Sequence, residues 1–154
     1  MPRRKTVPDN PAASASQPPG RKGRSALAIV AGFVVVVVLS LLTDEILHLL
    51  KVYPPWEQVM SDRLFGLATA YRAVYNVVGC YLAARLAPAH PMRHAMLLGW
   101  VGVFVALLGA VATWNQQPPL GPHWYSVTLV VIALPCAWLG GKLREMQLRE
   151  TGNA

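Results

Sequence analysis

Asp44, Glu45, His48, Arg72 and Asn76 are the residues whose chemistry is out of place in this chain, because each sits in a long apolar run. A charged side chain at the centre of a spanning helix costs about 2.5–3.5 kcal/mol, so such residues face a protein interior and find partners. Two adjacent carboxylates beside an imidazole, opposed by a guanidinium, could take up and release a proton or an ion at the membrane. An Arg neighbour would lower the carboxylate pKa and burial would raise it, so sequence alone does not fix the sign. The plainer reading of the same residues is a structural ion pair, since side chains two or three turns from the interface can reach toward it.

Spacing decides which of these residues can meet. Ser40, Asp44 and His48 recur every four positions and share one helix face, whereas Glu45 points about 100° away. In the next apolar run Thr69, Arg72, Asn76, Gly79 and Ala83 alternate spacings of three and four, giving a stripe that is polar at one end and small at the other. Asp44 lies about nine residues before Tyr53 and Arg72 about nine after Arg63, so each is near 13 Å along its helix from the intervening loop. Adjacent antiparallel helices bring them level, and the expectation is a bond from Arg72 to Asp44 or Glu45.

The elements that position this cluster follow from hydropathy. The run from Ser25 to Leu50 is long enough to cross a bilayer, which takes about 20 mostly apolar residues, and three similar runs follow it. A hydrophobic share of 54% with 14% charged residues departs from soluble domains, in which roughly a quarter are charged. The expected fold class is all-α: a polytopic membrane protein with four transmembrane helices in an antiparallel bundle at about 25–51, 64–87, 93–114 and 123–143. Helix breakers at Pro54-Pro55, Pro88 to Pro91 and Pro118-Pro119 mark the loops. Residues 1–24 read as a disordered, basic, Pro/Ala/Ser-rich tail, and 144–154 as a short second tail. The first run has no small-residue cleavage site after it, so it reads as an uncleaved helix. In 154 residues no room is left for a soluble catalytic domain.

Lys and Arg fall on the N-terminal tail, the second loop and the C-terminal segment, while residues 115–125 carry no charge. The positive-inside rule then puts both termini in the cytoplasm of a bacterial plasma (inner) membrane, with Tyr53, Trp56, Trp114, Trp124 and Tyr125 at the outer interface. The net charge of +7 is explained by these flanks and anionic headgroups, which excludes nucleic acid as a partner.

Gly79 and Ala83, then Gly99, Gly102, Ala106 and Gly109, are small residues at helical spacing and are expected to pack helix on helix. Pro135 is expected to leave a carbonyl free and to kink the last helix. Cys80 and Cys136 form no C-x-x-C pair and read as small hydrophobes. Glu45-Ile46-Leu47-His48 is a single E-x-x-H, which di-iron bundles use twice with two further carboxylates, so no metal is expected. Serine-nucleophile, phosphate-loop and dinucleotide patterns are missing, so neither a catalytic residue nor a cofactor is expected.

Four stretches, Tyr71-Arg72-Ala73-Val74-Tyr75, Ala83 to Pro88 with Pro91 to Ala95, Gly121-Pro122-His123-Trp124-Tyr125 and Leu134 to Gly141, give the chain a resemblance. From Thr43 to Leu143 it resembles a family of small, uncharacterised bacterial four-helix inner-membrane proteins. That resemblance implies a four-helix bundle in the inner membrane and brings no activity with it. The leading functional expectation is a non-enzymatic bundle that assembles with or assists a partner, either a second copy of the chain or another membrane protein, within the lipid bilayer. A small proton- or ion-coupled transporter subunit using Asp44 or Glu45 with Arg72 is the alternative. An enzyme using His123, Glu57 and Arg63 at the outer rim comes third.

Overall fold

A computed structural model describes residues 20–56, 58–116 and 121–152. The described chain is all-helical, with α1 at Gly20–Leu49, α2 at Asp62–Leu86, α3 at Pro91–Thr113 and α4 at His123–Gly152. Expectations about residues 1–19 and Glu57 lie outside the described residues. Pro91 opens α3 at a position where its missing N–H is no loss, and Asp62 begins α2 with a negative charge at the positive end of the helix dipole.

Helices α1, α3 and α4 are each long and apolar enough to cross a membrane, which supports the class of membrane proteins. The run of α2 is diluted by Tyr71, Arg72, Tyr75, Asn76 and Tyr81. This composition matches its place in the fold, because α2 packs against all three other helices, where polar groups can meet protein partners.

Two ends differ from the sequence reading. Gly20 to Arg24, expected in the tail, belong to α1, because Arg and Lys are good helix formers and extend a helix the apolar run has already nucleated. The last helix does not stop near residue 143 but continues to Gly152. Its extension is rich in Arg, Glu, Met, Gln and Leu, and it is tied to α2 by a hydrogen bond from Tyr81 Oη to Gln147 Oε1 at 2.7 Å.

Packing is closest where side chains are smallest. The core gathers Cys80, Ala83 and Ala84 of α2, Ala95 and Leu98 of α3 and Ala137 of α4. A Cβ added at Gly79 would lie 2.7 Å from the Gly32 carbonyl oxygen, and one at Gly140 would lie 2.6 Å from that of Val77. The backbones of α1 and α2, and of α2 and α4, therefore touch almost directly, the device membrane helices use where lipid offers no hydrophobic drive. Across α3 and α4, Gly99 makes room for the Ala137 methyl, which would lie 2.5 Å from a Cβ there.

Gly109 does not pack: it is exposed, and a Cβ there would meet nothing within 4 Å. The inward face of α3 steps by four residues through Gly102 and Ala106 to Ala110, which is buried, so Gly109 is turned about 100° aside.

Candidate functional site

The close approaches of Gly32 to Gly79 and Leu98 fall in the N-terminal half of α1. At the other end the first loop, the start of α4 and the end of α3 bring aromatic rings together. His48 stacks on Trp56 with centroids 3.9 Å apart, and Trp114 stacks on His123 at 4.3 Å. Trp124 Nε1 donates to Asp62 Oδ1 at 3.3 Å. The polar cluster lies just beneath this aromatic end.

Arg72 is the centre of the cluster. Its Nη2 donates to Asp44 Oδ2 at 2.6 Å, and its Nη1 donates to the hydroxyl of Tyr125 on α4. The other oxygen of Asp44 accepts from the Tyr71 hydroxyl. Because the Tyr71 proton is committed to the carboxylate, the bond between Tyr53 and Tyr71 at 3.2 Å must be donated by Tyr53. One step along, Thr43 Oγ1 and Tyr75 Oη lie 2.8 Å apart. The result is a chain of hydrogen bonds from the first loop through α2 and α1 to α4, in which both carboxylate oxygens of Asp44 are engaged. Charge-assisted bonds of this kind are roughly twice as strong as neutral ones.

The sequence-expected residues separate here. Of the two carboxylates, Asp44 takes the guanidinium while Glu45 is exposed and, among the described residues, has no hydrogen bond or ion pair. His48 does not join Arg72. Its Nδ1 donates to the Asp44 carbonyl at 2.8 Å, which fixes the proton on Nδ1, and its ring is taken up by Trp56 and Tyr53. Asn76 lies one turn from Arg72, and the two line a cavity of about 260 Å³ between the helices. Asp44 and Glu45 are not part of that wall.

Tyr71, Tyr125 and Tyr53 complete the network, and sequence spacing does not single them out for it. Tyrosine at the end of a membrane helix is ordinarily an interface anchor. The usable signal is that Tyr71 and Tyr75 are four apart on the helix that carries Arg72. At the rim, His123 Nε2 donates to the Trp114 carbonyl at 3.2 Å, and no contact joins His123 to Arg63 among the described residues. Among the described residues, no group of three or more His, Cys, Asp or Glu gathers there as a metal site. Cys80 and Cys136 are both buried as free thiols.

Comparison of the chain with protein-family models, with curated proteins and with solved structures found no match. The class rests on the three apolar helices, and the site on its own geometry.

Proposed function

We propose that the chain is a non-enzymatic assembly or accessory protein of a bacterial inner membrane. In this reading α2 is a fourth span, the four helices form an antiparallel bundle with both termini cytoplasmic, and the chain belongs with the small four-helix proteins it resembles. The Asp44–Arg72–Tyr125 chain acts as a latch fastening α1 and α4 to α2. The bundle then offers the apolar outer faces of α1 and α3, with Phe104 62% and Leu27 67% exposed, to lipid and to a second copy or another membrane protein.

The observation that carries this reading is the full engagement of Asp44. A carboxylate that loads and releases a proton along a path through the bundle needs to face that path with an oxygen not already engaged. Asp44 has one oxygen on Arg72 and the other on Tyr71, and it stands outside the cavity wall. The competing reading, a proton- or ion-coupled carrier subunit, draws on a different observation: Arg72 and Asn76 do line that cavity.

The test compares wild type with Asp44→Asn, Glu45→Gln and Arg72→Gln in vesicles, scoring proton flux and membrane abundance together. The latch reading expects no flux in the wild type, reduced abundance or thermal stability for Asp44→Asn and Arg72→Gln, and little change for Glu45→Gln. A wild-type flux that Asp44→Asn abolishes at unchanged abundance overturns it in favour of the carrier.

A further inference from the structure

Around the cavity beside Arg72, the helices do not close evenly. The helix α1 packs on α2 and lightly on α3, and its backbone does not approach that of α4. Among its contacts with α3 is the approach of Gly32 to Leu98. Farther along, Val37 and Leu41 of α1 and Val105 of α3 stand at the cavity's edge and are exposed on the outer surface. The cavity therefore opens sideways between α1 and α3, into the apolar layer that the spanning helices occupy. Its volume of about 260 Å³ exceeds the roughly 150 Å³ of an apolar cavity that holds benzene.

The wall is apolar except at three places: Ser40 of α1, and Arg72 and Asn76 of α2. Neither the Ser40 hydroxyl nor the Asn76 amide has a hydrogen-bond partner among the described residues. Polar groups facing hydrocarbon without partners cost free energy, several kcal/mol each in lipid, so these two call for an occupant with a hydrogen-bonding atom. The charge of Arg72 is already matched by Asp44 at 2.6 Å. An anionic occupant would leave the site with a net negative charge in a low-dielectric layer, whereas a neutral oxygen would not.

We propose that this cavity is a binding site for an uncharged single-chain amphiphile. It enters from the bilayer between α1 and α3, with its hydroxyl or carbonyl oxygen on Asn76 and Ser40 and its chain along Val37, Val105 and Leu129. The site goes beyond the latch reading and needs only that the helices be immersed in lipid. Fatty alcohols, monoglycerides and isoprenoid carbonyl compounds share this chemistry.

The test uses photoactivatable hexadecanol on the full chain in lipid nanodiscs, with hexadecane and hexadecanoate probes of the same design and peptide mapping of the adducts. Labelling by the alcohol is expected to saturate and to map to α1 and α3 at the cavity mouth. It should exceed labelling by the hydrocarbon about fivefold, the ratio that one hydrogen bond of about 1 kcal/mol provides. Gly102→Leu puts a side chain into the space from a position where the Cβ itself meets only Ala133, at 3.8 Å, and should remove the saturable label. Asn76→Leu should bring alcohol labelling down to that of the hydrocarbon. Labelling that never saturates, that spreads equally over Leu27 and Val111, or that survives Gly102→Leu overturns the site. A stronger, saturable label from hexadecanoate overturns the neutral head group.

Discussion

Arg72 of α2 holds Asp44 of α1 at 2.6 Å while its other terminal nitrogen reaches Tyr125 of α4, so a single side chain ties together two helices whose backbones do not approach each other. Its Nε, by contrast, is buried without a partner among the described residues. The pair is partly accessible, with side-chain exposures of 27% and 17%. Removing one partner from a fully buried pair costs about 3–5 kcal/mol, because the other charge is stranded. With the accessibility seen here, Arg72→Gln or Asp44→Asn should cost about 2 kcal/mol. The double variant should be more stable than the sum of the two losses predicts, because neither charge is then stranded. Thermal unfolding of the four proteins in one detergent measures the coupling, and strict additivity would show that the latch contributes nothing.

The small residues divide into those that hold helices together and those that do not. Replacing Gly79 with Leu forces a side chain into the Gly32 backbone, with the Cβ alone 2.7 Å from its carbonyl oxygen, and overpacking of this kind costs about 1–3 kcal/mol or more. At Gly109 the space is open, and Leu is the better helix former by about 0.8 kcal/mol. Gly79→Leu should therefore lower the melting temperature, while Gly109→Leu should leave it unchanged or raise it. Equal losses at both positions would contradict the packing described.

How much of this was legible in the sequence depends on what each residue type can signal. An arginine inside an apolar run demands a partner, and equal depth from the first loop brings Arg72 opposite the Asp44-Glu45 step. Depth does not choose between two neighbours that differ by about 100° in direction; helix rotation chooses, and rotation is set by the Gly32–Gly79 contact. The tyrosines are silent for another reason: an interface anchor and a network member have the same identity. Gly109 misleads because a spacing of seven from Gly102 and one of eight to Ala110 both fit a helix face, and only the path of α4 across α3 decides between them.

The end of α1 makes a further prediction. Lys51 has φ 57°, Val52 N–H bonds the Leu47 carbonyl at 2.9 Å, and Lys51 N–H bonds the His48 carbonyl at 3.0 Å. These are the paired bonds of a Schellman cap, whose left-handed residue is usually glycine because a Cβ is strained there. Lys51→Gly should relieve that strain and stabilise the protein by about 1 kcal/mol. A lower melting temperature would mean that the Lys51 side chain itself contributes more than the cap loses by carrying it.

Tyr53 offers a test of the network by pH. It lies in the loop after α1, only 3% exposed, and burial pushes its phenol above the ordinary value of 10.0. The folded state thus holds this proton more tightly than the unfolded state does. Its contribution to stability is complete below pH 10 and is lost as the pH rises from there through the folded value. Wild type should hold a constant melting temperature from pH 7 to about 9 and lose stability more steeply above 10 than Tyr53→Phe does. Phenolate absorbance should show one tyrosine fewer titrating late in the variant. If Tyr53 instead ionises at the ordinary phenol value of 10.0, its hydroxyl is not the donor to Tyr71, and the hydrogen-bond chain would begin at α2 rather than in the loop.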